Sequence, residues 1–509
     1  MCQVAEDYQQ QLERADVLSV SKKCVKCKAA SAAVVIRAGD AYCRGCFKEN
    51  FIHKFRAMLG KTRVIFPGEK VLLAVSGGPS SCSMLSQVQE GLSQNAHRKL
   101  RFVPGIVYID EGGAVGQSKE QRWRTVSELQ SLFRTTGFPF YIIPLEQVLG
   151  LPSSVVATAS SLSDRPTSAY KAAVDHFIQT GSKNDETAQD TKDTSPANVP
   201  ESQTHLLQQL IGSAQTLTAK EDLLDKLRQH LLVHTARTEG YSKLMLGDNC
   251  TRLAVKLLSS ISLGRGAQLA QDTGFSDSRY GDIISVRPMR EYSAKEIAYY
   301  SHMFRVPSVV VPGLDTRAPD KASIQRLTES FVTKLQAHFP STVSTIYRTS
   351  EKLQTACGSP AAADGCRRCL LCMCALDTAA EKASALQATL ISEQLSHSAC
   401  PATSSGILKQ NPGPVKAEST AAGRCCSSAG GEDCGGTAGG GGCCSGKETS
   451  DLKSLLCYSC QLTIRDMSSV NCLPHYILSE AQRRQRRTLM REEVSEFLLD
   501  DGDEEDTSV

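Results

Sequence analysis

The sequence predicts an α/β protein built on a five-stranded parallel sheet, with a cysteine ribbon at either end. Three observations predict it. An apolar run, Val71 to Val75, is followed by Ser76-Gly77-Gly78 and then by Met84, Leu85, Val88 and Leu92 at helical spacing. Further short apolar runs alternate with amphipathic segments downstream, the pattern of parallel strands joined by right-handed crossovers. Cysteines in Cys-x-x-Cys spacing flank this region on both sides.

Residues 1–62 hold Cys24-x-x-Cys27 and Cys43-x-x-Cys46, with fifteen residues between the pairs. Between them, Ala32 to Ile36 reads as a strand and Gly39-Asp40 as a hairpin turn. Four thiolates at this spacing suit one tetrahedral zinc ion. Its expected role is structural, because the module is too small for a core of its own. Phe51, Ile52, Phe55 and Leu59 then mark an amphipathic linker helix from Phe47 to Arg63.

Residues 63–345 form the main domain. The run Val71 to Val75 reads as a strand buried on both faces. It ends in Ser76-Gly77-Gly78-Pro79-Ser80-Ser81, where a helix begins. Glycines allow close backbone approach, and a helix N-terminus offers N–H groups to an anion, so the turn suits a phosphate. No Gly-Lys-Ser or Gly-Lys-Thr closes it, which excludes a Walker loop. A second strand, Phe102 to Ile109, ends in Asp110-Glu111-Gly112. The helix that follows, through Thr135, should turn Trp123, Val126, Leu129, Leu132 and Phe133 inward. Phe138 to Leu145 is a third strand, at or near an edge because of its prolines. Residues 152–205, rich in Ser, Thr, Ala, Asp and Asn, read as a flexible insertion. Periodicity returns at Leu217 and continues through Ala236. Lys243 to Leu246 is a fourth strand, followed by Gly247-Asp248-Asn249-Cys250, and Asp282 to Val286 is a fifth. Ala294 to Phe304 and Ile324 to Phe339 are further helices. Ligands of such sheets sit at the carboxyl ends of the strands, which places Ser76 to Ser81 and Asp110 in one site.

Residues 346–480 carry Cys366-x-x-Cys369-x-x-Cys372-x-Cys374 and, much later, Cys457-x-x-Cys460. The intervening 396–450, rich in Gly, Ser and Ala, reads as a disordered insertion. A second zinc site from Cys366, Cys369, Cys457 and Cys460 is expected. Cys372 or Cys374 could take one of these places, and spacing does not choose. The lone Cys250 reads as a small core residue at a helix start. Residues 481–509 form a charged tail. Its block Arg483-Arg484-Gln485-Arg486-Arg487 suits RNA phosphates or, equally, a solvated helix face.

At 509 residues the chain has room for more than one domain, and its net charge of +3 is too small to announce a nucleic-acid binder. No run of eighteen apolar residues appears, so no membrane partner is expected. The N-terminal stretch is polar and has no signal-peptide core, which makes the cytosol the simplest location. There, 21 cysteines point to metal ligands or free thiols before disulfides.

The segment Ser76-Gly77-Gly78-Pro79-Ser80-Ser81 resembles the SGGxDS pyrophosphate loop of enzymes that adenylate their substrates with ATP. Ser76, Gly77, Gly78 and Ser81 match; the usual fourth residue is Pro79 here, and the Asp is Ser80. The Asp110-Glu111-Gly112 turn is similar to one in that family. Gly247 and Asn249 match a Gly-His-Asn turn of the tRNA 2-thiolation enzymes, with Asp248 in place of the His. Together with the cysteine pairs, the ordered set resembles the cytoplasmic tRNA 2-thiolation protein 2 branch of the pyrophosphate-loop tRNA thiolases. The resemblance covers roughly Cys24 to Phe339 and the late cysteines. It implies a sheet of the adenine nucleotide alpha hydrolase-like type, with Ser76, Gly77, Gly78, Ser81, Asp110, Gly247 and Asn249 lining a vestigial or weak nucleotide site.

The same resemblance implies a complex that puts sulfur on C2 of the wobble uridine, U34, of cytosolic tRNA-Lys, tRNA-Glu and tRNA-Gln. Its partners would be a catalytic paralogue (protein 1), tRNA, and a ubiquitin-related sulfur carrier with a thiocarboxylated C-terminus. Catalytic members have a central Cys-x-x-Cys, whereas here no cysteine lies between Cys82 and Cys250. For ATP and magnesium the residues point both ways: the cradle is kept, while the cation and acid of the loop are lost. No catalytic residue is therefore assigned to this chain. The alternatives are an autonomous ATP-dependent adenylating enzyme of amide-ligase type, and a zinc-ribbon scaffold with an inactive nucleotide fold.

Overall fold

From the N-terminal side, an antiparallel ribbon of β1 (Val34–Val35) and β2 (Ala41–Tyr42) leads into α1 (Arg44–Thr62). Then follow β3 (Lys70–Ala74), α2 (Pro79–Leu92), β4 (Val103–Asp110), α3 (Lys119–Arg134) and β5 (Phe140–Pro144). After them come α4 (Glu201–Ser213), α5 (Leu217–Thr238), β6 (Lys243–Leu246), α6 (Cys250–Ser262), β7 (Ser276–Tyr280) and β8 (Ile283–Val286). The last elements are α7 (Ala294–Phe304), α8 (Ile324–His338), α9 (Thr342–Lys352), α10 (Tyr458–Arg465) and α11 (His475–Ser495). This computed structural model describes residues 23–36, 40–94, 96, 99–157, 199–316, 318–339, 341–353, 368–376 and 452–495. The chain divides into two compact units, 1–377 with 455–509, and 378–454. The named elements belong to the first; of the second, 452–454 are described.

The central sheet is six-stranded, in the order β5-β4-β3-β6-β8-β7. The five predicted strands pair in parallel, and β5 with its prolines is indeed at an edge. The sixth strand, β7, is a correction to the five-stranded expectation. It runs antiparallel to β8 and joins it through Gly281-Asp282, with Gly281 at a φ of 74°. Its sequence, Ser-Asp-Ser-Arg-Tyr, has no apolar run, because its buried positions are filled by Asp277 and Arg279. Chain order reverses between β3 and β6, the switch point at which α/β sheets open a crevice for ligands.

The core corrects two domain boundaries. Phe47, Phe51 and Phe55 of α1 join the same cluster as Val71, Leu73, Met84 and Ile106 of the main domain. Phe51 stacks on Tyr300 at 3.8 Å, and Tyr292 Oη donates to Phe51 O at 2.5 Å. A break at residue 62 would cut this core. At the other end, α11 runs through the expected boundary at 480. Tyr476 Oη meets His230 Nδ1 at 2.7 Å, and Arg484 donates to Arg368 O at 2.5 Å and Val156 O at 2.7 Å. Arg484 is therefore a structural residue of the basic block.

The insertion is narrower than 152–205. Val155 and Val156 are buried, and residues 201–205 open α4, whose Leu207, Leu210 and Ile211 are buried. A helix needs only one apolar face, so the polar residues between those leucines hid it. The stretch 158–198 lies outside the described residues, as do 396–450 and the acidic end of the tail. Trp123 is also corrected: it is 61% exposed. The inward stripe of α3 is Arg122, Val126, Leu129 and Phe133, and Trp123 lies about 100° off it on the 3.6-residue turn.

Candidate functional site

The strand ends of β3, β4 and β6 bring the predicted loop residues together. Ser76 Oγ lies 3.2 Å from Ser81 Oγ, and Ser81 Oγ donates to Gly78 O at 3.1 Å. Ser80 Oγ donates to Gly247 O at 2.5 Å, and Asn249 Nδ2 to Ser80 Oγ at 3.4 Å. Asn249 also caps α6 by accepting Arg252 N at 2.9 Å. Gly247 is needed for contact: a Cβ there would sit 2.9 Å from Ser81 Cα. Gly77 is needed for conformation, with a φ of 86°. Pro79 is the first residue of α2, where its missing N–H breaks no helical bond.

Two acids at this edge, Asp110 and Glu111, are committed elsewhere. Asp110, which is buried, accepts Gly112 N at 2.9 Å and Arg122 Nε at 2.8 Å. Arg122 forks onto Glu146 at 2.7 and 3.0 Å, and Thr204 of α4 donates to the same Glu146 at 3.0 Å. Burial alone would lower the Arg122 guanidinium's pKa; Glu146 and Asp110 outweigh it and raise it. Glu111 pairs with Arg228 of α5, and Asp248 lies 3.4 Å from Arg287 Nε. The segment after α7 crosses the loop: Val309 N donates to Gly77 O at 2.9 Å, and Gln117 Nε2 to Pro312 O at 3.3 Å. A magnesium–nucleotide wants an uncommitted carboxylate beside its phosphates. Asp110 and Glu111 do not fit that requirement.

Two cysteine sites are built to one plan. The sulfurs of Cys24, Cys27, Cys43 and Cys46 all lie within 4.8 Å of one another, as do those of Cys369, Cys372, Cys457 and Cys460. Cys27 Sγ to Cys43 Sγ is 3.9 Å, and Cys372 Sγ to Cys457 Sγ is 3.5 Å. Sulfurs tetrahedral about one zinc at about 2.3 Å would stand about 3.8 Å apart. The donor set therefore fits a single ion. In each site the later pair opens a helix: Cys43 is the N-cap of α1 and Cys457 that of α10. The partial positive charge of a helix N-terminus favours thiolates.

Backbone amides add to this at the N-terminal site. Those of Cys27 and Cys43 bring the Cys24 thiol down to about 6, while sharing a proton with Cys43 pushes Cys46 up to about 12. At the C-terminal site, hydrogen bonds from Cys369 and Cys374 hold Cys372 well below the usual thiol range, and burial pushes Cys369 up.

Cys366, expected as a ligand, lies outside the described residues; the place beside Cys369 is taken by Cys372. Cys374 is buried but outside the tetrad. Cys250 packs with Ala254, Val332, Val343 and Tyr347, as a core residue. Sequence reasoning missed Arg122, Glu146 and Arg228, whose pairing becomes visible only when the strands are assembled.

The sequence profile of the family described as Cytoplasmic tRNA 2-thiolation protein 2 matches residues 323–462. Full-length relatives carry the same description. One from Danio rerio is 55% identical over 98% of this chain and 99% of its own length. One from Homo sapiens is 48% identical over 99% of each. Among solved structures, the U34-tRNA thiolase NcsA from Methanococcus maripaludis with its [4Fe-4S] cluster is 15% identical. It superposes with a TM-score of 0.44, covering 66% of this chain and 90% of that one, a likeness too loose to carry a functional statement. On the identity and coverage of its full-length relatives, the chain belongs to the cytoplasmic tRNA 2-thiolation protein 2 family.

Proposed function

We propose that this chain serves cytosolic tRNA 2-thiolation as the non-adenylating member of a complex. The relatives' description names the process and the compartment. The observation that carries the division of labour is the commitment of Asp110 to Arg122 and of Glu111 to Arg228. A loop whose neighbouring Asp110 and Glu111 are taken by arginines, with Pro79 and Ser80 where the family has a cation and an acid, is poorly suited to a metal–nucleotide. The catalytic paralogue then performs adenylation and sulfur transfer on U34 of tRNA-Lys, tRNA-Glu and tRNA-Gln. Its sulfur comes from the thiocarboxylated ubiquitin-related carrier. This chain contributes a folded partner surface and part of the tRNA surface.

Zinc fits both cysteine tetrads, held by Cys24, Cys27, Cys43 and Cys46 and by Cys369, Cys372, Cys457 and Cys460. Bound there, it would cross-link chain segments. With every ligand position filled by sulfur, no open position remains for catalysis.

The deciding experiment measures 2-thiouridine in tRNA with this chain alone, with the paralogue alone, and with both. Product is expected only with both. Thiolation or a tRNA adenylate from this chain alone would overturn the reading.

A further inference from the structure

The C-terminal cysteine site has a buried cation beside it that the proposed function does not use. Arg279 of β7 lies between two carboxylates. It pairs with Asp272, and its Nε donates to Asp277 Oδ1 at 3.0 Å. Its own backbone N–H donates to the same Asp277 oxygen at 3.1 Å. The remaining Nη1 turns the other way, donating to Cys374 Sγ at 3.0 Å and reaching Cys372 O at 3.4 Å. Arg368 returns the contact, donating to Arg279 O at 2.6 Å. A guanidinium is suited to this task, since its rigid fork can be neutralised on one edge and donate from another.

The contact acts on a point the sequence leaves undecided. Cys372 and Cys374 flank Met373, and either spacing is compatible with a ligand. The structure has Cys372 Sγ among the tetrad and Cys374 Sγ on Arg279. The N-terminal site poses no such choice, because the residue matching Cys374 there is Ala29. The other half of the C-terminal site is held independently. Thr463 of α10 donates to Asp222 Oδ2 at 2.8 Å, and Asp466 accepts Thr216 N at 2.8 Å.

We propose that Arg279 is the positioning residue of the C-terminal metal site, making Cys372 and not Cys374 its fourth ligand. This rests on the reading that the tetrad binds a metal. Residues outside the ligand set that orient ligands commonly change metal affinity by about ten- to hundredfold.

The test uses the full-length chain purified with its metal. Metal per chain is measured by atomic emission, and alkylation of each cysteine under chelator challenge by peptide mass spectrometry. R279K keeps the charge and loses the fork. It should speed alkylation of Cys369, Cys372, Cys457 and Cys460 by about ten- to hundredfold. The N-terminal four should stay at the wild-type rate. The ligand choice has its own readout: C372S should lose the C-terminal ion, and R279K/C372S should regain it through Cys374. The variant R279M/D272N/D277N, which removes the three charges together, gives the same readout where R279K does not fold. Wild-type rates in R279K, parallel release from both tetrads, or no metal regained by R279K/C372S would each overturn the proposal. A wild-type chain without C-terminal metal would overturn the metal reading itself, and this proposal with it.

Discussion

Lys28 and Met373 occupy the same backbone position in two cysteine sites at opposite ends of the chain. Each follows the second cysteine of its pair, with a φ of 56° and 58°. Each donates its N–H to the carbonyl of the first cysteine, at 2.9 Å to Cys24 and 3.0 Å to Cys369. The left-handed residue lets the chain reverse so that both sulfurs point to one side. The knuckle is thus built twice, and each time it faces the first turn of a helix.

Lys28 is exposed, which isolates its backbone role. Lys28→Ile puts a β-branched side chain in the left-handed region and should cost about 1–2 kcal/mol. Lys28→Gly should be neutral or better. Thermal unfolding of the metal-loaded chain checks both.

Replacing Cys24 or Cys43 by Ser should remove one metal per chain and lower solubility. Cys372→Ser should remove the other, whereas Cys374→Ser should keep both. Acidification should release metal from both sites, because the ligands must be thiolates. Emission spectrometry across a pH series reads all of these.

The Asp110–Arg122–Glu146 network is buried, so removing one member leaves a charge without a partner. Arg122→Met should destabilise the chain by about 3–5 kcal/mol. The variant D110N/R122M/E146Q, which removes the charges together, should recover much of the loss. Urea unfolding gives the comparison.

Burial holds His230 neutral, bringing its pKa down to about 4 from an unfolded value near 6.5. Between those values the unfolded chain binds a proton that the folded chain refuses. His230 therefore contributes stability that is present above about pH 6.5 and lost as pH falls towards 4, about 3 kcal/mol in all. His230→Gln should flatten that part of the stability–pH curve; an unchanged slope would refute the assignment.

Gly77 has a φ of 86°, and a Cβ there would meet Leu129 at 3.2 Å and Val309 O at 3.3 Å. Gly77→Val should therefore strain the loop and displace the segment that crosses it. A fall in thermal midpoint, with loss of assembly with the paralogue, is expected. Ser80→Ala removes the bond to Gly247 O and the longer one from Asn249 Nδ2, and should cost about 1–2 kcal/mol.

The sequence by itself determined the parallel strands, the helices between them, the glycine loop and the existence of two cysteine sites. These are local signals: apolar runs, helical spacing, and Cys-x-x-Cys pairs whose chemistry depends on few neighbours. Only the tertiary structure decided the rest. Strand β7 was hidden because its buried positions hold Asp277 and Arg279, which are acceptable inside only when paired. Cys372 lies in the tetrad while Cys374 lies on Arg279, which is 95 residues from it in the chain. The acids Asp110 and Glu111 find arginine partners on other elements, with Arg228 117 residues from Glu111. Such pairings depend on long-range geometry, which residue spacing along the chain does not encode.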